Sequence, residues 1–384
     1  MAGIEQFGRS GRLAGFVLSG FLAMGGTDAL SAEFSSDEVA LKTDVLADGL
    51  DHPWSVEVLP DGAYIVSERP GRLRIIRDGA ISEPIEGLPD LFVGGQGGLL
   101  DIAIPSNFSQ SRQFYFTASI PMTGGQGTAL FSAVLSEDEA QLENVEKLFE
   151  MNKGTQTGHH FGSRIALADN GDIFLTLGER GDGERAQDLG DYAGAVIHLK
   201  ADGTPYPAVE FTRGAMGLPG MWSKGHRNPQ GIDIDPETGR IVVVEHGARG
   251  GDEINFPQQG KNYGWPVISY GRHYSGAKIG KGTEAEGYEQ PYYYWDPSIA
   301  PGALAVYHGE MFPEWEGDFL VTALKFQLLS RLERGPDGAV QKEEHLFADA
   351  FGRLRDVKVA PDGAVLLLTD ESDGELIRVS RQGD

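Results

Sequence analysis

The chain has 384 residues with 54 Gly, 20 Pro and no Cys. That is enough for one large domain of short strands and tight turns, and it excludes disulfides, thiolate nucleophiles, iron–sulfur clusters and cysteine-type zinc sites. Acidic side chains outnumber basic ones by 57 to 32, a formal net charge of −25. Such a surface argues against nucleic acid and anionic lipid as partners and suits bound cations.

Residues 1–32 read as a secretory signal peptide. Arg9 and Arg12 precede an apolar run from Leu13 to Gly26, and small residues continue to Ala32. A membrane-anchoring helix or an unstructured leader is the alternative, but the run falls short of the about 20 apolar residues a span needs. A periplasmic protein without stable membrane insertion is expected, with residues 33–384 as one domain.

One phrase then recurs: an apolar strand, a turn with Asp or Asn and Gly, and a second apolar strand that leaves into a polar loop. It occurs at Val58–Ile76, Ala166–Asp182, Asp233–Phe256 and Val359–Ser380. Gly accepts the positive φ that such hairpin turns need. Less regular hairpins, "RQFYFTASI" with "TALFSAVLS" and "GDFLVTALKFQLLSRLE", lie between the copies. Repeated antiparallel units point to an all-β fold, a β-propeller of four-stranded blades. At about 45–55 residues per blade, six blades are expected. A pair of β-sandwiches or a β-helix is the alternative.

Polar clusters fall in the loops. In "GGQGGLLDIAI", Gln96 sits between glycine pairs that let backbone approach a ligand, although a bare turn explains the loop as well. In "GHHFGSRIAL", His159 and His160 precede a strand, so their side chains point to opposite sides; either could be a base or a hydrogen-bonded structural His. Glu179, at the end of the next strand, is placed to meet His160 across one hairpin and orient its ring. The remaining charges of that loop read as solvated. "KGHRNPQG" crowds Lys224, His226, Arg227 and Asn228 at the mouth of a strand. "EHGARGGDEINFPQQGKNYGW" offers the carbonyls of Gly247 and Ala248 and the carboxylates of Asp252 and Glu253, hard donors of the kind calcium takes, or else a solvated acidic turn. Lys325 follows in "TALKFQLL". Arg353 and Arg355 share one face of a strand and call for an anion between them, whether a ligand or a protein carboxylate.

In order and wording, "GQGGLLD", "HHFGSR", "GHRNPQG", "GDEIN…NYGWP" and "GRLRDV" resemble the soluble quinoprotein sugar dehydrogenases, in particular their aldose sugar dehydrogenase branch. The resemblance spans Gly49 to Val379. It implies a six-bladed propeller holding pyrroloquinoline quinone (PQQ) and calcium at the top of its channel. It also implies PQQ- and calcium-dependent oxidation of aldoses at C1 to aldonolactones, with His160 as base and hydride transfer to PQQ C5. Arg227 and Asn228 would hold the quinone oxygen and its neighbour. Gln96, Ser298, Lys325, Arg353 and Arg355 match cofactor contacts. Gly247 and Ala248 match carbonyl ligands of the calcium on PQQ, and Glu253 with the Tyr263 backbone matches a second, structural calcium. Glu179 and Ala248 stand where the glucose branch has Asp and Pro. The shorter chain implies a monomer or weak dimer, with an aldose as substrate and an electron acceptor the resemblance does not name. A calcium-dependent lactonase on a six-bladed propeller, or a non-catalytic binding propeller, is the competing reading.

Overall fold

The computed structural model describes residues 31–211 and 214–383. The expected leader lies outside the described residues except for its last two, which open a strand at Ser31–Ser35. The described chain forms six sheets, four of four strands and two of five. The strands are antiparallel within each sheet, apart from one parallel pairing of Ser223 and Lys224 with Lys261 and Asn262.

The innermost strands are Pro53–Val58, Leu99–Ala103, Gly162–Leu167, Pro229–Ile234, Pro301–Val306 and Leu354–Val359, which define blades 1 to 6. Each packs against the next, and blade 6 returns to blade 1, closing a ring around an axis. This is the expected six-bladed β-propeller. Ring closure uses both ends of the chain: the strand Ala40–Leu50 pairs with Gly374–Arg381 and so completes blade 6.

The recurring turns fold as read. Gly62, Gly171 and Gly363 have φ of 88°, 85° and 85°, a region open to Gly at no steric cost. Beside each, the preceding Asp or Asn accepts a backbone N–H two residues on, from Ala63, Asp172 and Ala364. These turns lie at one face of the propeller. The loops that leave the second strands and those that enter the innermost strands meet at the other face.

Apolar side chains fill every seam between neighbouring blades. The seam between blades 1 and 2 holds Leu59, Ile65, Leu99 and Phe114. The seam between blades 3 and 4 is the thinnest, with Ala166, Phe174, Val196, Ile232, Ile241 and Val243. Because each strand presents one face to each neighbouring blade, both faces are apolar and alternation is weak, as in Val365–Thr369, which is buried throughout.

Candidate active site

A cavity of about 260 Å³ opens at the loop-rich face, lined by Trp54, Gln96, Asn228, His246, Arg353 and Arg355 among others. All six innermost strands or the loops leading into them contribute to this end of the axis.

His160 stands at its edge. Its backbone is left-handed, with φ 54°, as are those of Ser163 at 90° and Arg180 at 63°. Non-glycine residues in this region cost about 1–3 kcal/mol each and persist where surrounding contacts over-determine them. Those contacts are visible here. The His160 N–H donates to Gln96 Oε1 at 2.7 Å, and the Gln96 N–H donates to the Gly158 carbonyl at 2.8 Å. Arg180 donates to the carbonyls of Thr157 and His159 and lies 3.4 Å over the Phe161 ring. Gly178 is required, since a Cβ there would sit 2.0 Å from the His160 carbonyl oxygen.

The expected approach of Glu179 to His160 is present: Oε2 lies 2.5 Å from Nδ1 and also accepts the Gly181 N–H at 2.8 Å. Burial pushes the His160 imidazole below its ordinary value, and this outweighs the opposing pull of Glu179. A neutral ring with Nδ1–H held by a carboxylate leaves Nε2 as the basic atom. His159 is exposed.

The cluster from Lys224 to Asn228 divides by side. Lys224 and His226 are fully buried. The Lys224 Nζ donates to the Asp191 and Ala193 carbonyls, and burial brings its pKa down to about 7. His226 lies between Glu245, at 2.8 Å, and Ser223, at 2.9 Å. Arg227 turns the other way, over the Trp265 ring at 5.2 Å, and Nη1 donates to the His246 carbonyl at 3.3 Å. Asn228 lines the cavity, its Oδ1 accepting from Gly162 N at 3.2 Å.

Arg353 and Arg355 do share a face, and the anion between them is Asp370, 3.3 and 2.9 Å away. Asp370 is held well below the usual carboxylate range, with Arg355 the largest lowering influence against the opposing effect of burial. Two further expected contacts are engaged with protein. Ser298 Oγ donates to Asp252, and its carbonyl accepts from the exposed Lys325 at 3.1 Å. Asp252 in turn takes the N–H groups of Gly247 and Ala300, so it locks two loops together.

Gly247, Glu253 and Tyr263 meet around a void of about 10 Å³, about the room of one water molecule. Ala248 is buried beside them. Burial and the neighbouring Glu245 push the Glu253 carboxyl up to about 8. Asn255 bridges the two carboxylates, and its Oδ1 is buried without a partner among the described residues. Two close carboxylates and an orphaned oxygen suit a hard cation. Among the described residues no three His, Asp or Glu side chains form a metal-binding group, so a calcium here would depend on backbone carbonyls.

The donor set around the larger cavity suits an anionic cofactor. Arg355 at this cavity, and Arg227 beside the smaller void, each keep a buried Nε without an acceptor among the described residues. Trp54, Arg69, Gln230, His246 and Asp370 also line this site; Gln230 and His246 fall inside the quoted loop motifs, whereas no local sequence signal marks Trp54, Arg69 or Asp370. His246 is driven to about 3 by burial and by Arg227 and Arg355, and so is neutral.

The sequence profile of the "Glucose / Sorbosone dehydrogenase" family matches residues 50–378. The chain belongs to this family. It is an oxidoreductase acting on sugar CH–OH groups. The glucose/sorbosone dehydrogenase relatives include the aldose sugar dehydrogenase YliI of Escherichia coli, 38% identical over 91% of this chain and 96% of the relative. The quinoprotein glucose dehydrogenase B of Acinetobacter calcoaceticus is 23% identical over 86% of each chain. Among solved structures, the apo aldose sugar dehydrogenase of Escherichia coli superposes with a TM-score of 0.84 at 38% identity, covering 89% of this chain and 100% of that one. The PQQ-bound aldose sugar dehydrogenase of Streptomyces coelicolor shares the fold, with a TM-score of 0.72 at 23% identity over 92% and 99% of the chains.

Proposed function

We propose that this family member is a periplasmic, PQQ- and calcium-dependent aldose dehydrogenase that converts aldoses to aldonolactones, with residues 33–384 as the mature propeller. The observation that carries the reading is the His160–Glu179 pair at the edge of a cavity rich in arginine. When bound, PQQ supplies the acceptor for the hydride leaving sugar C1, and calcium supplies polarisation.

The rest is work for the protein's own side chains. His160 Nε2 takes the proton from the anomeric hydroxyl, and Glu179 holds Nδ1–H and stabilises the ring as it becomes positive. Arg227 places a fixed positive charge where negative charge grows. Arg353, Arg355 and Lys325 bind carboxylates. Gln96 and Asn228 present amide groups, and Ser298 closes the side of the site. Gly247 and Ala248 lend carbonyls to one calcium, while Glu253 and the Tyr263 carbonyl hold a structural one. A lactonase has no use for the two arginines at the cavity, and a binding propeller has none for the His–Glu pair. We take the protein to be a monomer or weak dimer.

Replacing His160 by Ala tests this. Loss of a general base costs about 10²- to 10⁴-fold in rate, so turnover falls by that much while PQQ binding persists. Turnover equal to wild type in the variant removes His160 from the chemistry.

A further inference from the structure

Arg164, from the innermost strand of blade 3, reaches the propeller axis and is 5% exposed. Its guanidinium touches every other blade. The Cζ lies 4.1 Å over the Trp54 ring of blade 1. Nη1 meets Asp101 of blade 2 at 3.0 Å and Asp356 of blade 6 at 2.7 Å. Nε donates to the Gln230 carbonyl of blade 4 at 2.7 Å, and Nη2 donates to the Gly302 carbonyl of blade 5 at 2.9 Å. Nη2 also donates to the Arg355 carbonyl at 3.3 Å.

Arg164 also lies between two cavities. It lines an axial chamber of about 330 Å³ on the far side, with Glu57, Asp101, Asp233, Asp356 and Lys358. Three of its partners, Trp54, Gln230 and Arg355, line the cavity of about 260 Å³ at the active face. Gln230 Oε1 accepts from Arg355 Nη1 at 3.1 Å, so these partners also hold one another.

We infer that Arg164 is a positioning residue for cofactor binding: it closes the floor of the active-site cavity and fixes Trp54, Gln230 and Arg355 above the axial chamber. This rests on the PQQ reading. A guanidinium suits the post because it is planar and offers five N–H donors in fixed directions, whereas an ammonium has three and no fork. Without it, the two cavities merge and Arg355 loses the support of its own backbone and of Gln230.

The test compares wild type with Arg164→Met, Arg164→Lys and, as a control, Arg331→Met. Arg331 is also buried and pairs with Glu38, Asp318 and Glu344, away from the cavity. PQQ is titrated into each calcium-loaded apoprotein and followed by quenching of tryptophan fluorescence, and thermal midpoints are recorded alongside. Arg164→Met raises the PQQ midpoint by about tenfold or more, the scale of a lost charged contact. Arg164→Lys gives an intermediate rise. Arg331→Met lowers the thermal midpoint and leaves PQQ binding at the wild-type value. A folded Arg164 variant with the wild-type PQQ midpoint overturns the inference. If neither Arg164 variant folds, the residue is a structural plug and the inference falls. Failure of wild type to bind PQQ is a separate result that removes the cofactor reading itself, and this inference with it.

Discussion

Changing Glu179 to Gln keeps the shape of the side chain and removes a charge that is 2% exposed and 2.5 Å from His160 Nδ1. Hydrogen bonds to a charged group contribute about 1.5–3 kcal/mol, against about 0.5–1.5 for neutral ones. The difference matters most when the imidazole carries the substrate proton. That difference is about 1–1.5 kcal/mol, so at 1.36 kcal/mol per decade kcat/KM falls by about 5- to 13-fold. The pH profile gives an independent sign. In the free enzyme His160 lies below the ordinary imidazole range, because burial outweighs the raising effect of Glu179. Without that carboxylate, burial and the nearby Arg227 and His159 act unopposed. The acid limb of kcat/KM therefore moves to still lower pH in Glu179→Gln even as the rate falls. The assay is sugar-dependent dye reduction across pH at saturating PQQ and calcium. A wild-type rate, or a limb that moves toward higher pH, refutes the argument.

Other outcomes follow from the same geometry. Arg355→Ala raises the PQQ concentration for half-activation by about tenfold or more. Arg353→Ala raises it less, since its side chain is 41% exposed against 10% for Arg355; equal midpoints for wild type and both variants would make the pair a scaffold for Asp370. Glu253 is raised in the folded calcium-free protein to about 8 from an ordinary 4.5, so the folded state holds a proton the unfolded state has lost. Stability of the calcium-free protein therefore falls as pH rises across that window, and Glu253→Gln or added calcium flattens the slope, which thermal unfolding at several pH values checks. Lys224→Met leaves two buried carbonyls without their donor and lowers the thermal midpoint, while the sugar KM stays at the wild-type value.

What could be read from sequence was what neighbours in sequence decide. The turns at Gly62, Gly171 and Gly363 are local chemistry, and they located the hairpins from which the propeller follows. His160 and Glu179 flank one hairpin, and Arg353 and Arg355 are two apart at the entry of one strand, so their proximity needed no tertiary knowledge. The hidden part depends on ring closure. Asp370 as the partner of both arginines, Asp252 as the partner of Ser298, and the strand Ala40–Leu50 completing the last blade all join distant segments. Arg164 belongs to the same class: nothing in "HHFGSR" tells that its guanidinium spans the axis. The cluster from Lys224 to Asn228 is mixed, because four polar residues within five positions look alike until the backbone sends Lys224 and His226 inward, Arg227 to the small void beside Glu253 and Asn228 to the cavity.

Reconstitution tests whether sugar oxidation by this protein depends on PQQ and calcium. Purified apoprotein is supplied with PQQ, calcium or both, and aldose-dependent dye reduction is followed. Activity is expected only with both, with an aldonolactone as product. Aldose oxidation without PQQ, or a protein that binds no PQQ while folded and calcium-loaded, contradicts that dependence.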